Sequence, residues 1–191
     1  MKTAIILHGM PSKEGYYDPN RESQSNEHWL PWLQHQLLLK DILAQAPEMP
    51  KPYEPNYGEW LKVFDQFLID ENTILIGHSL GGGFLIRWLS ENNVKVGKVI
   101  LVAPWIDTKK VLVTGFFDFK IDPNLVNKTN GIVIFGSDND ENDIKESIKA
   151  LMGEVSNISY REFQNMGHFV FSSMGKKDFP ELLEEVEVRH G

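Results

Sequence analysis

Short apolar runs alternate with segments of helical periodicity along almost the whole chain, and this alternation limits the folds open to it. Apolar runs at residues 3–7 and 42–46 are followed by helical patterns at 27–40 and 57–69. The alternation continues with predicted strands at 73–76, 98–103, 131–135 and 158–163 and predicted helices at 80–91, 143–152 and 178–188. It predicts an α/β fold of three layers, in which helices cover both faces of a doubly wound, mostly parallel sheet.

The length of the chain bounds the number of domains. Its 191 residues are 41% apolar, which suits one buried core better than two. We expect one domain over residues 1–191, without a large cap domain. Two segments interrupt the alternation: residues 10–26 are polar and predict a long loop, and residues 104–129 carry aromatic side chains without a steady period.

Charge and cysteine content exclude several classes of function. The net charge is −8 and the basic residues are scattered, so we expect no nucleic acid partner. The chain has no cysteine, which excludes thiol catalysis and disulfide bonds.

The first apolar run stops at His8, too early for a secretion signal, and no stretch approaches the roughly 20 apolar residues of a membrane-spanning helix. These features predict a cytoplasmic protein without a membrane partner.

One motif places a serine at a sharp turn from strand to helix. Gly77-His78-Ser79-Leu80-Gly81 lies between the apolar run at 73–76 and a helical stretch at 84–89. Small residues two places before and after the serine allow a cramped turn, because glycine lets the strand and helix backbones approach closely. This spacing is typical of the nucleophile elbow of hydrolases, which exposes the serine hydroxyl at the edge of the sheet.

A serine nucleophile needs a histidine base and a carboxylate that orients it. In doubly wound hydrolases both follow the serine along the chain, on loops after later strands. His168 directly follows the last predicted strand, whereas His190, the other downstream histidine, is next to the C-terminus. His78 neighbours Ser79 but is expected to point the other way along the elbow. We therefore predict that His168 is the base.

Several carboxylates could serve as the acid. They lie in Gly136-Ser137-Asp138-Asn139-Asp140-Glu141-Asn142-Asp143, after the predicted strand at 131–135. Asp140 is the first choice because a loop of a few residues brings it to the sheet edge. Asp138 is the alternative, and Asp143 is expected to cap the following helix.

The same acidic run is not a calcium loop. Asp138, Asp140 and Asn142 match its first, third and fifth positions, but Asp143 occupies the position that requires glycine and Lys149 the position of the bidentate glutamate. The histidines show no ligand spacing, and no glycine-rich nucleotide signature is present. We predict no metal and no cofactor.

Acyl transfer also requires donors for the developing oxyanion. The backbone N–H of Leu80 follows the nucleophile, and the loop His8-Gly9-Met10-Pro11 after the first strand offers the N–H of Met10, with Gly9 as second choice. Aromatic residues after the strand at 98–103 are candidates for an acyl pocket, namely Trp105, Phe116 and Phe117. A stripe at helical spacing is expected to be core: Trp29, Trp32, Leu33 and Leu37.

The chain resembles the small serine hydrolases of the α/β-hydrolase superfamily that include retinoblastoma-binding protein nine and short bacterial relatives. The matching segments span nearly the whole chain: Ile5-Ile6-Leu7-His8-Gly9, Trp29-Leu30-Pro31-Trp32, Met49-Pro50, Pro55 before Trp60, Gly77-His78-Ser79-Leu80-Gly81-Gly82, Gly136-Ser137-Asp138-Asn139-Asp140 and Gly167-His168-Phe169. The resemblance implies a compact α/β-hydrolase fold and a triad of Ser79, Asp140 and His168.

Two functions of different classes follow from these features. The first is a metal-independent serine hydrolase that cleaves small acyl esters through an acyl-enzyme on Ser79. The second is a non-catalytic protein-interaction module on a hydrolase scaffold, because the resembled family includes a protein named for partner binding and fold alone does not fix function. The sequence itself indicates no protein partner.

Overall fold

The computed structural model describes residues 1–188. Within this range one parallel sheet is formed by β1 Lys2–Leu7, β2 Ile42–Gln45, β3 Thr73–His78, β4 Val99–Val102, β5 Ile132–Ser137 and β6 Ser159–Phe163. The strand order is β2-β1-β3-β4-β5-β6. The predicted α/β fold is confirmed, and the sheet is wholly rather than mostly parallel.

The helices of the described residues are α1 Lys13–Tyr16, α2 Leu30–Leu38, α3 Tyr57–Phe64, α4 Leu80–Glu91, α5 Asn142–Glu154, α6 Phe171–Met174 and α7 Pro180–Glu187. Helix α3 begins at Tyr57 because the Asn56 side chain accepts the N–H of Glu59 at 3.1 Å and caps the first turn. The short helices α1 and α6 lie in segments for which the sequence predicted no helix. Across residues 1–188, none of the helices combines the length and hydropathy needed to cross a lipid bilayer.

The strand order determines which face each helix covers. From β1 the chain moves to one side of the sheet to form β2, and all later crossovers run in the other direction. Because crossovers between parallel strands are right-handed, α2 covers one face, and α3, α4 and α5 cover the other. Helix α7 contacts α2 and completes the first layer. The result is a sheet between two helical layers.

Burial follows from this layering. Every residue of β3 and β4 is buried, as expected for central strands covered on both faces, whereas the edge strand β6 is largely exposed. Aromatic side chains join α3 to α4: the Trp60 and Phe84 ring centroids are 5.4 Å apart, and those of Phe64 and Trp88 are 5.0 Å apart. These contacts hold α4, whose N-cap is Ser79, against α3.

Candidate active site

Ser79 occupies the turn between β3 and α4 in a strained backbone conformation. Its φ of 51° and ψ of −116° are unusual for a residue with a side chain. The surrounding backbone holds it there, since the Ser79 N–H donates to the Val102 carbonyl at 2.9 Å and the Ser79 carbonyl accepts from Gly83 and Trp105 at 3.1 Å each. The strand, the turn and the helix lie where the elbow motif predicts them.

Glycine is required on both sides of this serine. A Cβ added to Gly77 would lie 2.6 Å from the Gly82 backbone, and one added to Gly81 would lie 2.7 Å from the carbonyl oxygens of Leu7 and His8. Side chains at these positions would therefore separate α4 from β1 and β3. The close packing fixes the direction in which the Ser79 hydroxyl leaves the turn.

His168 lies on the loop after β6 and pairs with Asp140. Its Nδ1 is 3.1 and 3.2 Å from the two carboxylate oxygens. The Asp140 side chain is 1% exposed and also accepts the N–H of Glu141 at 2.7 Å. A carboxylate acceptor at Nδ1 retains the hydrogen there and leaves Nε2 free to act as a base. The other downstream histidine, His190, lies outside the described residues.

The alternative acid, Asp138, has a different partner. Its Oδ1 accepts the backbone N–H of Asn165 at 2.8 Å. The Ser137 hydroxyl accepts the N–H of Met166 at 3.0 Å, and the Asn139 side-chain oxygen, Oδ1, accepts the N–H of Gly167 at 2.8 Å. Residues 137–140 thus bind residues 165–168 through a continuous set of hydrogen bonds, which we call the acid–base clamp. The Gly-Ser-Asp-Asn-Asp run was the sequence signal for it, but its hydrogen-bond partners were not predicted.

Ser79 and His168 line the same small cavity. Its volume is about 50 Å³, and its remaining lining residues are His8, Gly9, Met10, Gln24, His28, Leu30, His78 and Val170. The hydrogen bonds found within residues 1–188 do not include one between Ser79 and His168. Hydrogen bonds of this kind are often long in free enzymes and shorten when substrate is bound. The cavity therefore brings the predicted nucleophile and base together without a bond between them.

Two backbone donors lie next to Ser79. None of the hydrogen bonds found in residues 1–188 uses the N–H of Leu80 or of Met10. Leu80 is the first residue of α4, whose initial N–H groups have no acceptor within the helix. The Met10 loop lies against Ser79, since a Cβ on Gly9 would be 3.1 Å from the Ser79 Cβ. Both donors are thus available to an oxyanion.

His78 lies beside His168, which corrects the expectation that it points away. The His78 Nε2–H donates to the His168 carbonyl at 2.8 Å, and the two ring centroids are 5.0 Å apart. The Trp29 indole N–H similarly donates to the Phe169 carbonyl at 3.0 Å. Trp29 is fully buried, as the helical stripe predicted, and also holds the loop that carries His168. The sequence did not indicate either supporting role.

The aromatic residues after β4 do not line this cavity, contrary to expectation. Phe116 is fully buried, with its ring centroid 5.1 Å from that of Trp60, and Trp105 packs against Phe117 at 5.5 Å. The segment folds over α4, because a Cβ on Gly83 would lie 2.0 Å from the Trp105 carbonyl oxygen. Trp105, Phe116 and Phe117 are therefore not among the residues that line the cavity beside Ser79, to which Gln24, His28 and Leu30 contribute instead.

Burial lowers the pKa of His78 well below its usual value, and His168 and His28 nearby lower it further. Burial also lowers the pKa values of His8 and His28. Below pH about 6.5 the unfolded chain binds protons that the folded protein does not, so stability decreases as pH falls. The contribution of each neutral, buried histidine to the free energy of unfolding is fully present above that pH. Below it, the free energy of unfolding falls by at most about 1.4 kcal/mol per histidine per pH unit.

We therefore expect the thermal midpoint to fall between pH 7.5 and 5.5, and to fall less steeply in a His78→Asn variant. Calorimetry at matched ionic strength measures both slopes. His78 is 3% exposed. Equal slopes in the two proteins would contradict a neutral, buried His78.

Within residues 1–188, no group of three or more histidine, aspartate or glutamate side chains could hold a metal ion. The groups near the Ser79 hydroxyl are the His168 imidazole, the Asp140 carboxylate behind it and the backbone N–H groups of Leu80 and Met10.

The family model described as serine hydrolase matches residues 15–187. The YdeN protein of Bacillus subtilis (strain 168) is 27% identical over 169 residues, which cover 83% of this chain and 87% of YdeN. The crystal structure of the ydeN gene product superposes with a TM-score of 0.81 and 25% identity over 97% of each chain. Est1E from Butyrivibrio proteoclasticus, in a structure with bound ferulic acid, has the same fold, with a TM-score of 0.67, 16% identity, and coverage of 98% of this chain and 87% of Est1E.

Proposed function

This chain belongs to the serine hydrolase family, and we propose that it cleaves carboxylic esters with short acyl chains through an acyl-enzyme on Ser79. The observation that supports this most directly is the pairing of His168 Nδ1 with the buried Asp140 beside the cavity that Ser79 lines. Neutral serine is a weak nucleophile, and an imidazole oriented in this way is the base that activates it.

In the proposed first half-reaction, His168 Nε2 takes the Ser79 hydroxyl proton as the oxygen attacks the ester carbonyl carbon. The carbonyl oxygen becomes an anion that accepts hydrogen bonds from the N–H groups of Leu80 and Met10. His168 then donates the proton to the departing alcohol oxygen, the carbon–oxygen bond breaks, and the acyl group remains on Ser79. Asp140 stabilises the imidazolium throughout this half-reaction.

In the second half-reaction a water molecule replaces the alcohol. His168 Nε2 removes a proton from the water, whose oxygen attacks the acyl carbon and regenerates the anion at the same two donors. Collapse breaks the bond to Ser79, which recovers its proton from His168. The products are a carboxylic acid and the free enzyme, with no external oxidant or cofactor consumed.

The size of the cavity supports a short acyl chain. Its volume of about 50 Å³ is far below the roughly 300–1,000 Å³ of pockets that enclose drug-sized ligands. Met10, Leu30 and Val170 supply apolar walls, and four of the ten lining residues are histidines. A chain of two to four carbons fits this description better than a long fatty acyl group.

Hydrolysis of p-nitrophenyl acetate, butyrate and octanoate tests the proposal. We expect kcat/KM to fall from the short esters to octanoate, and a fluorophosphonate probe to label the protein. A folded protein that neither hydrolyses these esters nor reacts with the probe would contradict the proposal and favour the interaction module. Activity that rises with chain length would contradict the short-chain substrate class.

Leu30→Ala should shift the preference toward longer acyl chains because Leu30 lines the cavity. We expect the ratio of kcat/KM for octanoate to that for acetate to rise at least about fivefold, the effect of roughly 1 kcal/mol of restored apolar contact. Leu33→Ala on the same helix is the matched control, since Leu33 is also fully buried but is not among the cavity residues. An equal shift in both variants would contradict the assignment of this wall.

A further inference from the structure

His8 connects the loop that bears the oxyanion donor to a second loop after β2. It is 1% exposed, and its ring lies edge-on to Trp60 with centroids 5.9 Å apart. Its Nε2 accepts the backbone N–H of Met49 at 2.9 Å. A ring nitrogen that accepts a hydrogen bond carries no proton in the neutral ring, so the hydrogen is on Nδ1. The Nδ1–H then donates to the Gly9 carbonyl at 2.8 Å.

The charge around His8 is consistent with this tautomer. The Glu48 carboxylate lies 3.7 Å from Nε2 and would favour protonation. Burial outweighs it and lowers the pKa of His8. The neutral ring is therefore the form in which both hydrogen bonds are made.

The bond to the Gly9 carbonyl fixes the direction of the Met10 N–H. No peptide bond among the described residues is cis, and in a planar trans peptide the C=O and the N–H point to opposite sides. Because His8 holds the Gly9 carbonyl on its own side, the N–H of Met10 faces the other way. Gly9 and Met10 line the cavity with Ser79. The peptide between Gly9 and Met10 can turn over only if the hydrogen bond from His8 to the Gly9 carbonyl breaks.

We propose that His8 is a positioning residue that aims the Met10 N–H at the oxyanion, with its tautomer set by the N–H of Met49. The proposal rests on the function proposed above, and it adds a link between the active site and the loop after β2. His8 itself does not contact the reacting atoms. Its effect is exerted through one peptide plane.

Two substitutions separate the positioning role from simple packing. His8→Phe retains a ring but removes both hydrogen bonds, whereas His8→Asn retains a side-chain N–H near the position of Nδ1. We expect His8→Phe to lower kcat for p-nitrophenyl acetate about 10- to 100-fold with KM nearly unchanged. This loss of kcat is somewhat smaller than the loss caused by removal of an oxyanion donor itself. His8→Asn should recover most of this loss.

A transition-state analogue provides the readout that packing alone would not change. Phenylboronic acid forms a tetrahedral adduct with an active serine, and one adduct oxygen takes the place of the oxyanion. We expect its affinity to fall in His8→Phe by the same factor as kcat. Leu37→Ala is the control: it removes a fully buried side chain that is not among the cavity residues, so it should lower the thermal midpoint and leave the boronate affinity unchanged.

An active wild-type enzyme with unchanged kcat and boronate affinity in His8→Phe would overturn the role of His8. A wild-type protein inactive on the ester would instead count against the proposed function. If His8→Phe fails to fold, two-bond ¹H–¹⁵N correlation spectra of the wild-type histidine side chains test the same geometry. The Nδ1–H tautomer is expected for His8, and the Nε2–H tautomer would refute the proposal.

Discussion

Replacement of Ser79 by alanine is expected to abolish ester hydrolysis, with kcat lowered by a factor on the order of 10⁶. The variant lacks the oxygen that attacks the carbonyl. Without that attack no tetrahedral anion forms on the enzyme, so the N–H groups of Leu80 and Met10 have no anion to stabilise. Labelling by a fluorophosphonate probe should disappear as well, because the probe reacts with the same oxygen. Gel fluorescence and p-nitrophenyl acetate turnover measure the two losses independently.

Ser90→Ala is the matched control for this variant. Ser90 lies on the same helix, α4, and its hydroxyl donates to the Ile86 carbonyl at 2.7 Å and accepts the N–H of Asp122 at 3.2 Å. It is not among the cavity residues, so its replacement removes a serine hydroxyl without changing the site. We expect wild-type labelling and turnover. Residual labelling of Ser79→Ala would show that the probe modifies another residue and would remove the basis of the proposed acyl-enzyme.

Asp140→Asn is expected to lower kcat/KM for p-nitrophenyl acetate by about 10⁴. The amide can donate to Nδ1, which reverses the tautomer of His168, and it carries no charge to stabilise the imidazolium. Asp138→Asn should cost less than about tenfold, since the amide oxygen still accepts the N–H of Asn165. The reverse ranking of the two variants would refute Asp140 as the acid and favour Asp138.

Both aspartate variants require a stability measurement. Asp140 is buried and bonded to His168 and to the N–H of Glu141, so its replacement alters a polar group enclosed in protein. Thermal midpoints within a few degrees of wild type would assign the activity loss to chemistry. If the thermal midpoint falls strongly in Asp140→Asn alone, the activities of the variants and of the wild type are compared at a lower temperature, at which all of them are folded.

The sequence was sufficient to predict the fold and to place Ser79 and His168 at the same edge of the sheet. Periodicity predicts the strands and helices, and parallel strands bring the loops after β3 and β6 to the same edge of the sheet. Ser79 and His168 each follow a strand end, so their proximity is a consequence of topology. The helix boundaries at α3 and the short α1 depended on local caps such as Ser12, whose side chain accepts the N–H of Gly15.

The choice between acids could not be made from position alone. Asp138 and Asp140 are two residues apart on one loop, and either could reach the sheet edge. Which carboxylate faces His168 depends on hydrogen bonds to residues 165–167, about 30 positions further along the chain. Sequence spacing does not encode these bonds.

The place of the aromatic residues after β4 could not be predicted for a related reason. Aromatic residues such as Phe116 indicate burial, but their type does not tell which surface buries them. Here the packing of the segment onto α4 was decided by the absence of a side chain at Gly83. The polar segment 10–26, predicted as a long loop, supplies Gln24 to the cavity as well as the predicted Met10.

The acid–base clamp has a consequence for how proteins of this kind can diversify. Its bonds join residues 137–140 to residues 165–168 in fixed register, so a one-residue insertion in either segment would displace every later partner by roughly 3.5 Å. The tip of the segment after β4 carries no such constraint, since Val113 is 98% exposed. We therefore expect length variation to be tolerated at that tip, and the two clamp segments to change only together.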